Sequence, residues 1–309
     1  MMQIGQENGQ YHEKSFWEFK GKLDYVDQWF LMGSPINATL LLIAYLLFVL
    51  KIGPDLMKNR PPYKLNGLLI MYNIAQVCVS FWIFKIGLVY LWRNGIVNPS
   101  CPMRIEENER YIAMASYWYV CAKISEFLDT IFFVLRKKQN QVTFLHVYHH
   151  SVMMYACWMT LKYEPTDSGM FLGTINSLVH VIMYGYYCLS AIPGLQKYLW
   201  WKKYITTLQL VQFVLIMIQV VVGIMVTECR PSYLIIYAIL FNGVLFLYLF
   251  GDFYVKSYLE KKKNDINNNV NVVEKGKNHT KVNEKTFENG AIFTNGVSDG
   301  AHKRIKTVC

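Results

Sequence analysis

Four histidines lie in stretches of chain that hold no Asp, Glu, Lys or Arg: His146, His149 and His150 within 139–161, and His180 within 168–196. The first three read His-Val-Tyr-His-His. On a helix, at about 100° per residue, His146 and His150 lie roughly 40° apart and His149 roughly 60° to the other side, so all three share one face. Imidazole there can attack a carbonyl, move a proton or bind a metal. Polar residues joining packed helices are the plain alternative, which one histidine would fit and a cluster of four fits poorly. A His-x-x-His-His run is also what a membrane di-iron oxidase or hydroxylase presents, but such enzymes need about eight histidine ligands. Only His180 joins the cluster, because His12, His279 and His302 belong to the polar ends. A single zinc on His146, His149, His150 and His180 stays open, since three-His zinc is a known catalytic type.

Other polar groups recur at helical spacing. Lys123 and Glu126 are three apart and can pair, Asp129 follows by three, and Thr130 is one turn from Glu126. Asn176, His180, Tyr184 and Tyr187 form a second stripe, and Thr206, Gln209, Gln212 and Gln219 a third. Lipid would leave such groups unpaired, so they must face a shared interior.

The elements that position them are apolar. Of 309 residues, 53% are hydrophobic and only 17% charged, against roughly 25% charged in an ordinary soluble domain. The net charge of +10 would suit nucleic acid, but the basic residues sit between apolar runs, which excludes that partner. Windows 28–50, 66–84, 139–161, 168–196, 204–227 and 231–251 lack Asp, Glu, Lys and Arg. Each is about the 20 residues a helix needs to cross a bilayer. A further stretch, 111–135, is broken only by Lys123, Glu126 and Asp129. The expected fold is all-α, a polytopic membrane protein with seven transmembrane helices. Three regions follow: a polar segment 1–27 without a signal-peptide core, a membrane domain 28–260, and a tail 261–309, disordered by composition.

Lys and Arg concentrate in alternate loops. Lys51, Lys58, Arg60 and Lys64 follow span 1, Arg136, Lys137 and Lys138 follow span 3, Lys197, Lys202 and Lys203 follow span 5, and Lys256 and Lys261 to Lys263 follow span 7. The other loops are balanced: Arg93, Arg104 and Arg110 meet Glu106, Glu107 and Glu109, and Lys162 meets Glu164 and Asp167. The N-terminus is therefore expected in the lumen and the C-terminus in the cytosol. Cys101 and Cys229 are the two cysteines of the non-cytosolic loops, where a disulfide between them can persist.

Taken together, Lys123-x-x-Glu126-x-x-Asp129-Thr130, His146-x-x-His149-His150, Asn176-Ser-Leu-Val-His180-Val-Ile-Met183-Tyr184-Gly-Tyr-Tyr187 and Lys203-Tyr-Ile-Thr-Thr-Leu-Gln209-Leu-Val-Gln212 resemble the four motifs of the ELO family of very-long-chain fatty acid elongases. The resemblance spans roughly residues 24 to 262 and includes the 134–145 stretch of animal members. It departs at 164–169, where Glu-Pro-Thr-Asp-Ser-Gly replaces a Pro-Gly-Gly-His-like turn, and at a C-terminus without a dilysine signal.

The resemblance implies condensation of a long-chain acyl-CoA with malonyl-CoA to a 3-ketoacyl-CoA, with release of CO2 and CoA, in the endoplasmic reticulum membrane. It needs no cofactor or metal, implies spans 2–7 around an acyl-chain tunnel, and implies partners among the ketoreductase, dehydratase and enoyl reductase of the cycle. A homodimer is compatible with it. His149 is expected to attack the thioester with His180 beside it, and His146 and His150 to orient the substrate. Lys123, Glu126, Asp129, Asn176, Tyr184, Tyr187, Thr207 and Gln209 are expected to contact substrate, Asn176 and Gln209 as oxyanion donors. Arg136, Lys138, Lys202 and Lys203 are expected on the cytosolic side where CoA phosphates enter, and Gln141 is expected to contact substrate. Cys157, seven residues beyond His150, lies about 10 Å along the helix and is too far for a nucleophile–base contact. A seven-span receptor is the competing reading, with the same span count and orientation but no need of buried histidines.

Overall fold

The computed structural model describes residues 20–100, 102–228 and 230–260, and every regular element among them is helical. The expected tail 261–309 lies outside the described residues, as do residues 1–19 and the expected disulfide partners Cys101 and Cys229. The described residues up to Tyr254 belong to one compact unit. The described part of the second unit is a π-helical turn, Val255–Glu260.

Helix α1 (Pro35–Met57) starts where the Ser34 hydroxyl accepts a hydrogen bond from the Ile36 amide at 3.2 Å. It widens to π-helix at Phe48–Ile52, just before Pro54. Proline has no N–H and its ring crowds the carbonyl four residues back, and the wider turn relieves that clash. Then come α2 (Asn66–Asn94), α3 (Glu106–Ser125), α4 (Phe127–Leu135), α5 (Phe144–Tyr163), α6 (Asp167–Ala191), α7 (Lys202–Val226) and α8 (Tyr233–Tyr254). Only Glu126 separates α3 from α4.

Helix neighbours form a closed circuit: α2 lies along α6, α6 on α7, α7 on α8, α8 on α5, α5 on α3, and α3 back on α2. α1 stands outside this circuit, against α5 and, at its end, α4. There Tyr45 stacks on Phe127 with ring centroids 4.0 Å apart, among Val49, Met57, Val134 and Met154. The closest approach in the circuit is Gly87 of α2 to Thr174 of α6. A Cβ at 87 would run into the Thr174 hydroxyl and come within 3.0 Å of its Cβ.

Among the described residues four helices are long and apolar enough to cross a membrane: Pro35–Met57, Asn66–Asn94, Lys202–Val226 and Tyr233–Glu260. The other long helices carry the charged and imidazole groups. The distribution is inverted relative to a soluble protein. Trp92, Leu234, Phe30 and Met225 are exposed, whereas Lys123, Glu126, Lys162, His150, His180, Asn176 and Gln212 are buried. A bilayer core is the solvent that rewards this arrangement.

Lys162 corrects a reading made from the loops. It lies in the last turn of α5, wholly buried, and its ammonium binds Asp27 Oδ1 at 2.6 Å and the carbonyls of Met32 and Gly33 at 2.7 and 3.4 Å. Glu164 instead accepts from the Ser232 amide, and Asp167 from the Tyr90 hydroxyl. A buried ammonium needs fixed acceptors, and the segment before α1 supplies them. That segment is tied down further by Trp158 Nε1 donating to the Leu31 carbonyl at 2.9 Å and by Leu23, Val26 and Met32 packing on Trp158 and Leu161. Gly21 belongs to the same knot, since a Cβ there would lie 2.5 Å from Asp27 Oδ1 and 2.7 Å from the Lys162 carbonyl.

Candidate active site

The carboxylate of Glu126 sits at the joint between α3 and α4, one residue from the end of each helix. It accepts from Lys123 Nζ at 2.9 and 3.2 Å, so the pair expected at a spacing of three forms on the buried face. Lys123 Nζ also donates to Asn176 Oδ1 at 2.9 Å and faces His180 Nε2 at 3.5 Å. Its three protons thus have three acceptors.

His180 Nδ1 lies 3.1 Å from Glu126 Oε1. A carboxylate accepts only, so the proton is on Nδ1 and the Nε2 lone pair turns to Lys123. One of the two expected acids therefore sets a histidine tautomer. Asp129 takes a different partner, accepting from the Tyr184 hydroxyl at 2.6 Å.

Asn176 is held on every side. Its Oδ1 accepts from Lys123 and from Tyr119 OH at 2.7 Å, and its Nδ2 donates to Gln212 Oε1 at 3.3 Å. Gln209, the expected companion donor, instead turns its amide to Met183 Sδ at 3.5 Å. Gln212 is one turn further along α7, on the face that meets α6.

The three clustered histidines do not play equivalent parts. α5 begins with the Thr143 hydroxyl accepting from the His146 amide at 3.2 Å. His146 Nε2 meets the Thr130 hydroxyl at 2.9 Å, and that hydroxyl meets Tyr45 OH at 2.8 Å. His150 is buried, with its ring 4.4 Å from that of His146. Among the described residues its Nδ1 has no hydrogen-bond partner, and it lies 3.8 Å from Glu126 Oε2. The His149 ring lies 5.3 Å from that of His150 and 5.2 and 6.3 Å from Phe246 and Phe250 of α8. All three share the inner face of α5, but only His150 reaches toward Glu126.

The expected CoA contacts, and Gln141 with them, stand apart from this network. Arg136 caps the end of α4, half-buried, while Lys138 and Gln141 are exposed on the turn before α5. Lys203 is exposed at the start of α7, with its ammonium 5.0 Å from the centre of the Tyr204 ring. Thr207 is exposed too and returns its hydroxyl to the Lys203 carbonyl at 3.2 Å, whereas neighbouring Thr206 is buried. Tyr187 is 38% exposed.

Sequence reasoning missed Tyr119, whose signal was its position one turn before Lys123. It also left Gln76 of α2 unremarked, which donates to Ser125 Oγ at 2.9 Å at the end of α3. Among the described residues no three His, Cys, Asp or Glu side chains are gathered to hold a metal ion.

A helical circuit that is apolar outside and carries an ionised network within defines a polytopic α-helical membrane protein. The chain belongs to the GNS1/SUR4 (ELO) family, which it matches over residues 30–266. It is 37% identical over 278 residues to very long chain fatty acid elongase 7 of Drosophila melanogaster, covering 88% of this chain and 83% of that one. It is 40% identical over 237 residues to elongase 1 of Homo sapiens (75% and 85%), and 38% identical over 283 residues to elongase 4 of Mus musculus (89% and 88%). The family drawn from the four motifs is therefore the right one.

Proposed function

We propose that this protein condenses a long-chain acyl-CoA with malonyl-CoA, giving a 3-ketoacyl-CoA, CO2 and CoA. The observation that carries the reading is the buried network of Lys123, Glu126, His180 and Asn176 beside the histidines of α5, inside a ring of helices with an apolar exterior. The acyl chain runs between the helices of the circuit, and the CoA phosphates meet Arg136, Lys138, Lys202 and Lys203. All seven apolar segments cross the endoplasmic reticulum membrane, with the N-terminus in the lumen.

The chemistry proceeds in two stages. A ring nitrogen of His149 bonds to the thioester carbonyl carbon, the C–S bond breaks, and CoA leaves as the thiol with the proton the imidazole gives up. Malonyl-CoA then loses CO2, its enolate carbon bonds to the acyl carbon, and the C–N bond to His149 breaks. The imidazole recovers one proton, which is the net proton consumed. Two features support His149 as the nucleophile. Both nitrogens of His180 already face Glu126 and Lys123, whereas the His149 ring packs on those of His150, Phe246 and Phe250 and makes no hydrogen bond among the described residues. His180, held by Glu126, stands beside His149 as a second contact to the substrate, and the second N–H of Asn176 faces charge developing on the carbonyl oxygen.

Purified protein given malonyl-CoA and a ladder of acyl-CoAs tests the reading, with 3-ketoacyl-CoA the expected product. Acyl-CoA alone should release CoA once per chain, and His149→Ala should abolish that release while His146→Ala only reduces it. A wild type silent until malonyl-CoA arrives would make the condensation a direct ternary reaction. Activity is expected to survive chelation; one or two metals per chain lost together with activity would favour a metal-dependent oxidase or hydroxylase.

A further inference from the structure

Tyr119 belongs to none of the four motifs, yet it touches the network at two points. It is buried, 7% exposed. Its hydroxyl donates to Asn176 Oδ1 at 2.7 Å, and its ring lies beneath the Lys123 ammonium, 4.9 Å from ring centre to nitrogen. The other edge of the ring faces α6, where a Cβ on Gly173 would come within 3.9 Å of it. With Ile83, Gly87, Ala115 and Thr174 it lines a cleft of mostly small side chains between α2, α3 and α6. The phenol thus has its polar end in the ionised network and its apolar body on the small-residue side.

We infer that Tyr119 is a positioning residue for the condensation, acting through Asn176. The inference rests on the condensation reading above. An amide oxygen has two lone pairs, and here both are taken, by Lys123 and by Tyr119. Turning the amide over would set its NH2 against an ammonium and a phenol donor at once, so the orientation has one solution. With Oδ1 doubly held and one N–H on Gln212, the second N–H of Nδ2 has a fixed direction in which to meet an oxyanion. Removing the phenol oxygen leaves Lys123 as a single tether, about which the amide can pivot. A donor that must be aligned when charge develops is worth more in the transition state than in the ground state. The effect therefore falls on kcat, not on KM.

Tyr119→Phe separates this role from packing, because the ring, its cleft wall and its contact with Lys123 are kept. The expected result with purified enzyme is a kcat lowered about tenfold and a KM for acyl-CoA within about twofold of wild type. Asn176→Ala should lower kcat further, about a hundredfold, and Tyr119→Phe should add nothing in that background. Such non-additivity is the mark of a residue acting through another. An unchanged kcat in Tyr119→Phe, or effects that multiply in the double variant, would overturn the assignment. So would a Phe variant that no longer folds, which would make the hydroxyl a requirement of structure alone. Wild-type enzyme that forms no 3-ketoacyl-CoA defeats the condensation reading itself; an active wild type with an unaffected Phe variant defeats Tyr119 only.

Discussion

Lys123 and Lys162 are both buried and both bound to a carboxylate, at 2.9 and 2.6 Å. Their surroundings differ in kind. Lys162 is closed off by Asp27 and two main-chain carbonyls, acceptors that all belong to one short segment. Lys123 is shared among Glu126, Asn176 and His180, side chains that can re-pair, and the neighbouring His150 carries a nitrogen unpaired among the described residues. The contrast teaches that a buried ion pair does not mark a site by itself, since pairs of this sort are also made for structure. Exchangeable partners mark it.

The comparison breaks if both lysines prove equally necessary to turnover. The largest effect is expected at the site, where Glu126→Gln keeps the shape but removes the charge opposite Lys123 and the acceptor of His180. Formation of 3-ketoacyl-CoA should fall on the order of a thousandfold. Lys162→Met should instead lower stability, by about 3 kcal/mol in thermal unfolding of the detergent-solubilised protein, with turnover per folded molecule near wild type. Asp27→Asn sharpens the point, because the amide oxygen still accepts from Lys162. A loss of about 1–2 kcal/mol is expected, again without loss of turnover. Gly21→Ala, which pushes on Asp27 and the Lys162 carbonyl, should cost about 1 kcal/mol by the same measurement. Inactive but well-folded Lys162 or Asp27 variants would erase the distinction.

What the sequence revealed and what it hid divide along the same line. Apolar length set out the helices, and spacings of three and four put Lys123 on Glu126 and lined His180 up with Asn176 and Tyr184. Those are relations within a helix, where the period settles the face. Relations between helices were harder to read. Nothing in the spacing says that Gln212 rather than Gln209 meets Asn176, that Thr207, expected at the substrate, turns outward, or that His149 lies against Phe246 and Phe250. Each depends on how far one helix is rotated against its neighbour, and a stripe of polar residues spans too wide an arc to resolve that. Lys162 was obscured for another reason. Nearby Glu164 and Asp167 made it look like one charge of a balanced loop, whereas its partner is 135 positions earlier in the chain.

The contact of Gly87 with Thr174 carries a mechanical consequence. With room for nothing beyond a hydrogen between them, α2 and α6 cannot slide or roll past each other without collision, and they behave as a single two-helix plate. Asn176, His180 and Tyr184 are mounted on that plate. Any breathing of the circuit must be taken up elsewhere. α8 is the member with the least to lose, because only 11% of its most apolar window is buried against other helices. Asn176, His180 and Tyr184 ride on the stiff wall, whereas His149 of α5 faces the compliant α8 through Phe246 and Phe250.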